Sequence, residues 1–257
     1  MTRLRLLVVL WLTVALAGCV SSSPQRQVDQ AQVLGNHVQL ALGYIGTGDR
    51  DSARYHLSLA SEVDRRAPAV LHAYALLYQL EGELVVAENH YRRALAADRR
   101  FSQARLNYGV FLYGQQRFQD AYGQFKTVAD DLEYERRAVA FSHLGLAALK
   151  LERHADAVTA FQRATQLDPT LARPYMELAQ IELAAGNYSR SKQWLDQYHR
   201  LAPASAASLW LGVQLASIFG DRDGEASNAL ALRNLFPYSE ETLAYQKWLD
   251  SQNDTRQ

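Results

Sequence analysis

The chain contains a single cysteine, Cys19, and its setting limits what its thiol can do. One thiol cannot form an internal disulfide, and it cannot supply the paired cysteines of a structural zinc site. The residues before it begin with the basic side chains Arg3 and Arg5 and continue with the almost unbroken apolar run Leu6–Ala17. That run has twelve residues, whereas a membrane-spanning helix needs about 20. The pattern is therefore typical of a cleavable secretory signal.

The residues next to Cys19 give its thiol a specific chemistry. The tetrapeptide Leu16-Ala17-Gly18-Cys19 resembles the lipobox of bacterial lipoproteins, in which an aliphatic residue and two small residues precede the modified cysteine. The resemblance implies that residues 1–18 form a signal peptide cleaved between Gly18 and Cys19, that the Cys19 thiol carries a diacyl group, and that the new amino group is acylated. Each buried CH₂ of an acyl chain contributes about 0.8 kcal/mol, so three chains would anchor the protein firmly.

The residues after Cys19 indicate where the anchor lies and how it joins the rest of the chain. In lipoproteins of this kind, aspartate at the next position resembles an inner-membrane retention signal. Val20 stands there instead, which implies a lipid-anchored protein on the periplasmic face of the outer membrane. Residues 20–33 are polar and contain a serine run and Pro24. A lipidated cysteine followed by a flexible tether is therefore predicted over residues 19–33.

The other residue types give no pattern for catalysis or for a cofactor. The histidines form neither an HExxH motif nor a pair at metal-ligand spacing, and the nucleophile-elbow, phosphate-loop and dinucleotide-binding glycine motifs are lacking. His72 and His143 could face a binding groove, although a neutral surface histidine is the commoner case. Three arginine pairs occur along the chain, Arg65-Arg66, Arg99-Arg100 and Arg136-Arg137. These pairs could contact an acidic partner, although solvated loop charges are commoner. We expect no catalytic residue, no cofactor and no metal.

The composition is that of a globular protein without a nucleic-acid-binding surface. Apolar residues make up 48% of the 257 residues and charged residues 21%, which provides enough material for a core and disfavours a disordered chain. Basic and acidic side chains number 27 each, and loss of residues 1–18 would leave a net charge of about −2. Because nucleic-acid-binding proteins typically show a clustered basic face, we expect no nucleic-acid partner.

A regular spacing organises the chain after the tether. A small, a large and another small side chain recur at one fixed interval: Ala53, Leu57 and Ala60; Ala87, Tyr91 and Ala94; Ala121, Phe125 and Val128. The interval is the period of tetratricopeptide repeats (TPRs), about 34 residues. The small residues let two antiparallel helices approach, and the large residue fills the space towards the next pair. The step from the third repeat to the fourth is longer by two residues. A generic helical bundle gives no reason for such a period.

The predicted fold is all-α, a right-handed superhelical TPR solenoid of about six helix-turn-helix repeats with a C-terminal capping helix. The solenoid is assigned to residues 34–238, with repeats over 34–67, 68–101, 102–137, 138–171, 172–204 and 205–238. The sixth copy is looser: Ala226 and Leu230 align as its small and large residues, with an insertion near residues 219–223. Residues 239–250 predict the cap, with Ser239 as N-cap and with Leu243 or Ala244 and Trp248 covering the last repeat. A frayed tail is predicted over 251–257.

TPR proteins bind partners in the groove lined by the first helix of each repeat. The side chains assigned to this groove are largely apolar: Leu42, Ile45, His72, Leu76, Leu106, Val110, Tyr113 and Leu146. The lysine and asparagine that clamp a terminal carboxylate in some TPR proteins are missing at the corresponding positions. We therefore expect an apolar peptide segment, extended or helical, as the partner. The alternative is that several of these side chains belong to the core between repeats.

Two segments resemble a particular family of TPR lipoproteins. Residues 106–145 contain the run Asn-Tyr-Gly-Val-Phe-Leu-Tyr at 107–113, the stretch Tyr134-Glu135-Arg136 and the two-residue lengthening of the period, and the sequence from Leu209 onwards is also similar. These features resemble the type IV pilus biogenesis and stability lipoproteins of the PilF/PilW type over essentially the full length. The chain departs from that family in lacking the proline that usually follows the tyrosine equivalent to Tyr134.

The resemblance implies a pilotin, a lipoprotein that binds the pilus secretin subunit through its TPR groove and promotes its localisation and multimerisation in the outer membrane. Cys19 would supply the anchor and the N-terminal repeats the secretin contact, without catalysis, and we expect a monomer. Two alternatives stay open. One is another periplasm-facing TPR scaffold, serving outer-membrane protein assembly or peptidoglycan synthase activation. The other is an enzyme that carries a TPR module.

Overall fold

A computed structural model describes residues 24–254, which form thirteen α-helices and no β-strand. The helices are α1 (Pro24–Thr47), α2 (Arg50–Asp64), α3 (Pro68–Glu81), α4 (Leu84–Ala97), α5 (Ser102–Gly114), α6 (Phe118–Asp130), α7 (Arg137–Lys150), α8 (His154–Leu167), α9 (Ala172–Ala184), α10 (Tyr188–Leu201), α11 (Ala206–Phe219), α12 (Arg222–Leu235) and α13 (Glu240–Asp254). Helices α1–α4 belong to a compact first unit that ends at Asp98, and α5–α13 to a second unit that begins at Arg99. The predicted all-α repeat class is confirmed.

Alanines allow the helices of the first unit to pair closely. Ala41 of α1 and Ala53 of α2 are completely buried, and so is the large residue of the first repeat, Leu57. The second repeat buries the equivalent set completely as well, namely Ala75, Ala87 and Tyr91. The alanines lie where the two helices of a pair come closest, so their small size sets the distance between the helix axes.

The second unit achieves the same packing with glycine and phenylalanine. A Cβ atom on Gly109 would lie 2.5 Å from the ring of Phe125, and one on Gly145 would lie 2.6 Å from the ring of Phe161. Both rings are completely buried. The phenylalanine therefore occupies the space that a Cβ atom would need, and glycine is required opposite it.

The turn between the two helices of a repeat needs one residue in the left-handed conformation. Four of these turns use glycine, with positive φ at Gly48, Gly82, Gly186 and Gly220. The third and fourth repeats place Gln116 (φ 59°) and Glu152 (φ 60°) there instead. These two are the positive-φ residues other than glycine among residues 24–254, and an L-residue carries a steric cost in that conformation.

The longer repeat step is found between the start of α6 at Phe118 and the start of α8 at His154. The additional residues lie in the segment 131–136, which is hydrogen-bonded back to α5. The hydroxyl of Tyr134 donates to Oε1 of Gln103 at 2.9 Å, and the hydroxyl of Ser102 donates to a carboxylate oxygen of Asp131 at 2.5 Å. The segment is therefore held against the N-terminal part of α5 although it lacks the proline after Tyr134.

The insertion expected in the sixth repeat is wrong. Helix α12 begins at Arg222, one regular repeat period after the start of α10 at Tyr188, and Gly220 forms the same left-handed turn as Gly186. The residues expected to be buried in α12, Ala226 and Leu230, are exposed.

The sixth repeat instead exchanges the sizes of its contact residues. The buried residues of α12 are Ala229 and Leu232. In the other repeats the small residue of this contact lies on the first helix and the large one on the second. Here the first helix, α11, carries the larger residue, the completely buried Val213, and the second helix carries the small Ala229. The contact still pairs one small with one larger side chain, but the exchange hides the pattern from an alignment.

The predictions at the two ends of the described region need correction. The tether expected up to residue 33 is wrong from Pro24 onwards, because α1 begins there; proline is tolerated at the first helical position, and no glycine or further proline follows before Gly35. At the other end, α13 continues to Asp254, so the expected tail is helical over 251–254. Ser239 caps this helix as predicted, since the Thr242 amide donates to its hydroxyl at 3.2 Å.

The capping helix covers the last repeat with one of the expected residues, Trp248, and with one that was not expected, Tyr245. Leu243 is 53% exposed, whereas Tyr245 is buried. Tyr245 and Trp248 form an aromatic cluster with Trp210 of α11, with ring centroids 6.1–6.2 Å apart. The prediction is correct for Trp248. Of its two alternatives for the second covering residue, Leu243 is exposed and Ala244 is half-buried.

Candidate functional site

The predicted lipidation site, Gly18 and Cys19, lies outside the residues that the structure describes, so it stays a prediction. Between residues 24 and 254, no helix is long and apolar enough to cross a membrane. In the same range, no three histidine, cysteine or acidic side chains cluster as a metal site would require. The predicted groove residues lie on the first helices of the repeats. We call the surface that these helices form the A-helix face of each unit: α1 and α3 in the first, and α5, α7, α9 and α11 in the second.

The A-helix face of the first unit contains four predicted groove residues. Leu42 and Ile45 of α1 are half-buried and pack against the core formed by α1, α2 and α3, while Leu76 of α3 is also half-buried. His72 is 3% exposed, and burial lowers its pKa to about 4. His72 is therefore a neutral core residue near the Tyr91 ring, at a centroid distance of 6.2 Å. The three aliphatic side chains remain available in part to a partner.

Charge is nearly absent from the first helices of this unit. From Gln30 to the end of α1 no side chain is acidic, lysine or arginine, and α3 contains Glu81 as its one charged residue. Both carboxylate oxygens of Glu81 accept hydrogen bonds from Nη2 of Arg54 at 2.6 Å. The guanidinium group also lies over the ring of Tyr78, 5.6 Å from its centroid. The charge of Glu81 is therefore neutralised within the protein.

The A-helix face of the second unit contains the other four predicted groove residues. Leu106 and Leu146 are buried, so they support the face from within the core. Val110 is 39% exposed. Tyr113 is half-buried, packs against the core that includes Leu146, and meets the ring of Phe118 edge-on at a centroid distance of 5.1 Å. Val110 and Tyr113 are therefore the predicted residues that present apolar surface.

A group of charged side chains next to Tyr113 is absent from the predicted site. Arg173 and Glu177 of α9 form an ion pair in which Nε lies 3.4 Å from Oε1. The Glu177 side chain is only 17% exposed, whereas that of Arg173 is 62% exposed. Burial raises the pKa of the Glu177 carboxyl, and the nearby Arg173 and Lys150 act in the opposite direction. Burial also raises the pKa of Tyr113, which lies within electrostatic range of both Arg173 and Glu177.

His143 links this group to the segment 131–136. Its ring stacks on Phe125 at a centroid distance of 5.2 Å. Burial lowers the pKa of His143, and the nearby Arg173 and Arg136 act in the same direction. Arg136 also approaches Oε1 of Gln103 on α5, at 3.4 Å. Arg136 and Lys150 lie at opposite ends of α7, about 20 Å apart along its axis. Together with Arg173, His143 and Glu177 they form a charged row along the face, which we call the basic cluster of the second unit.

The sequence contains a signal that could have located this cluster. His143 is one of the two histidines expected to be able to face the groove, and Glu177 lies one repeat period later, at the same position of the next repeat. The predicted groove ends with the fourth repeat and so omits α9. The two members of the arginine pair 136–137 have different roles. Nε of Arg137 donates to the carbonyl oxygen of Ala129 at 2.9 Å, whereas Arg136 belongs to the basic cluster.

Helix pairs that recur at one period, with small residues at the close contacts, define this chain as a tetratricopeptide-repeat protein. Two models described as tetratricopeptide repeat match residues 71–142 and 148–210. The type IV pilus assembly protein PilF of Pseudomonas aeruginosa is 34% identical over 250 residues, which cover 95% of this chain and 97% of that protein. The chain belongs to the family of type IV pilus assembly proteins that includes PilF.

Solved structures agree with this placement. The structure of Pseudomonas aeruginosa PilF matches with a TM-score of 0.81 at 32% identity, covering 85% of this chain and 99% of the other. PilW, described as a widely conserved type IV pilus biogenesis factor, matches in fold with a TM-score of 0.72 at 24% identity, covering 84% and 99% of the two chains. A second sequence relative extends the comparison. An uncharacterised Haemophilus influenzae protein is 25% identical over 162 residues, 63% of this chain and 90% of that protein. The identity to PilF confirms the resemblance to the type IV pilus biogenesis family that residues 106–145 indicate.

Proposed function

We propose that this tetratricopeptide-repeat protein of type IV pilus biogenesis acts as a pilotin. In this proposal it is an outer-membrane lipoprotein, anchored through acylated Cys19 and facing the periplasm. It binds the pilus secretin subunit through the A-helix faces and promotes the subunit's outer-membrane localisation and multimerisation. The observation that carries the proposal is the 34% identity to PilF over 95% of the chain, combined with the lipobox-like residues 16–19.

The distance between the proposed anchor and the repeats supports a role at the membrane surface. Helix α1 begins at Pro24, five residues after Cys19. Because a chain spans at most about 3.6 Å per residue, this link can be no longer than about 18 Å. A partner held by the first repeats would therefore stay close to the bilayer in which Cys19 is anchored.

The chemistry of the faces supports binding without a covalent step. The first unit offers Leu42, Ile45 and Leu76, and the second offers Val110 and Tyr113 beside its basic cluster. Exposed apolar side chains flanked by polar ones are typical of protein interaction sites. Delivery of a secretin subunit needs only such an interface and an anchor, so no catalytic group is required.

Membrane fractionation tests the proposal. Cells that lack the gene, and cells that produce the Cys19→Ala variant, are separated into inner and outer membranes, and the secretin is probed as heat-resistant multimer or monomer. We expect loss of the multimer from the outer membrane in both strains, and recovery with the wild-type gene. A normal outer-membrane multimer in both strains would contradict the proposal and leave another periplasm-facing scaffold as the function.

A further inference from the structure

The basic cluster of the second unit contains more cationic than anionic groups. Arg136, Lys150 and Arg173 are cations that are exposed at the surface, and Glu177 is the carboxylate beside them. Within residues 24–254, no carboxylate lies within salt-bridge distance of Arg136 or Lys150, and the closest approach of Arg173 to the Glu177 carboxylate is 3.4 Å. Arg136 and Lys150 are therefore cations without an ion-pair partner among the described residues, and such side chains favour an anionic group of a partner.

The other charged side chains on the first helices of this unit are bound elsewhere. Arg105 donates to Oε1 of Gln124 at 3.0 Å and to the carbonyl oxygen of Arg99 at 2.8 Å. Arg137 binds the carbonyl oxygen of Ala129. Glu182 is buried and pairs with Arg190 at 3.2 Å, while accepting a hydrogen bond from Asn187 at 2.8 Å. Arg105 and Arg137 are cations and cannot neutralise the basic cluster, and Glu182 could do so only by leaving Arg190 and Asn187.

Apolar surface lies beside the unbalanced charge. Tyr113 is within electrostatic range of Arg173 and Glu177, and its ring is fixed against Phe118. Val110 precedes it by almost one helical turn on α5 and is 39% exposed. A carboxylate of a partner would meet the guanidinium groups while a neighbouring aliphatic or aromatic side chain covers Val110 and Tyr113. Such a combination gives both charge complementarity and apolar burial.

We propose that the A-helix face of the second unit binds an acidic, partly apolar segment of a partner protein, with carboxylates at Arg173, Lys150 and Arg136 and an apolar side chain at Val110 and Tyr113. This inference rests on the proposed function for the partner's identity, but the chemistry of the segment follows from this face alone. Glu177 shapes the selectivity, because it repels a carboxylate from the side of Arg173 that it occupies and directs it towards the side of Arg136.

A photo-crosslinker at position 110 tests the inference in the full-length protein in its own cells. Val110 is replaced by benzoyl-phenylalanine, the cells are irradiated, and the crosslinked peptide is identified by mass spectrometry. The experiment is repeated in an Arg173→Gln/Lys150→Gln background. The matched control is Lys126→Gln/Lys192→Gln, which removes two exposed lysines that form i,i+4 ion pairs on the second helices α6 and α10. Circular dichroism verifies that all variants are folded.

We expect a crosslinked segment with several aspartates or glutamates around an apolar residue. Its yield should fall on the order of tenfold in the Arg173→Gln/Lys150→Gln background and stay unchanged in the control. An acidic segment of a protein other than the secretin would support this inference and contradict the secretin assignment. A neutral or basic segment, an anionic lipid, an equal loss in both backgrounds, or no crosslink in cells that assemble pili would overturn it, even if the secretin still depends on the protein.

Discussion

Arg54 in the first unit donates to both carboxylate oxygens of Glu81 at 2.6 Å, whereas the closest approach of Arg173 to the Glu177 carboxylate in the second unit is 3.4 Å. The first helices of the first unit are almost free of charge, and those of the second carry several cations. The packing differs in parallel, since alanines line the helix contacts of the first unit and glycine with phenylalanine those of α5–α8. The same repeat geometry thus supports an apolar face in one unit and a charged face in the other.

The largest expected effect concerns the glycine–phenylalanine contacts. Gly145→Ala places a Cβ atom 2.6 Å from the Phe161 ring, so we expect a loss of about 2–3 kcal/mol in the free energy of unfolding. The double variant Gly145→Ala/Phe161→Leu reproduces the alanine–leucine pair of the first repeat, Ala41 and Leu57, and should recover part of the loss. Urea denaturation measures both. A double variant no more stable than Gly145→Ala would show that the two packing solutions are not interchangeable.

The second prediction concerns the pH dependence of the free energy of unfolding, which burial of His72 in the first unit should cause. Burial lowers the folded-state pKa of His72 from 6.5 to about 4. Between these values the unfolded chain binds a proton that the folded chain does not. The stability contributed by neutral His72 is therefore complete above pH 6.5 and is lost as the pH falls towards 4. We expect a loss of about 2 kcal/mol from pH 7 to pH 5.

The control for this pH effect is His72→Gln, which cannot titrate. Its free energy of unfolding should be lower at pH 7 but change less towards pH 5 than that of the wild type. Urea denaturation at the two pH values provides the measurement. Parallel pH profiles for the two proteins would contradict a titrating His72.

The turns offer a smaller effect of opposite sign in the two units. Glu152 adopts φ 60° in the second unit, so Glu152→Gly should raise the free energy of unfolding by about 0.5–1 kcal/mol. Gly82 adopts φ 82° in the first unit, and Gly82→Ala should lower it by about 1 kcal/mol. Thermal denaturation compares both variants with the wild type. A destabilised Glu152→Gly variant would mean that the glutamate side chain contributes more than its backbone conformation costs.

The smallest expected effect concerns the closed ion pair of the first unit. Glu81→Gln should cost only about 0.5 kcal/mol, because Arg54 is about half exposed and solvent screens the pair. The variant leaves an unbalanced guanidinium group above Tyr78 and thereby makes the first unit resemble the second. Urea denaturation at low and high salt measures the cost. A loss that does not shrink at high salt would show that packing on Tyr78, not charge, provides the stability.

The repeat period predicts the helix pairs well, because the packing itself requires a side chain of a particular size at each contact position. Ala53 and Leu57 are examples of such positions. It fails in the sixth repeat, where Val213 and Ala229 exchange sizes and the geometry survives without the pattern. The tether prediction fails because polar composition says little about a helix start when proline occupies the first position. The predicted site contains apolar residues but not the charged pair of α9, since the importance of that pair arises from neighbours on α5 and α7 that are distant in sequence.

The exchange of sizes between Val213 and Ala229 also bears on how the array stops. Repeat arrays grow by duplication because the far side of each unit has the shape that the next unit requires. The core of the sixth repeat, which includes Ala229, is instead completed by the single helix α13 through Tyr245, beside Trp248 and Trp210. A seventh copy would meet a surface shaped for aromatic rings rather than for a helix pair. The aromatic side chains of α13 therefore occupy the surface on which a further helix pair would have to pack.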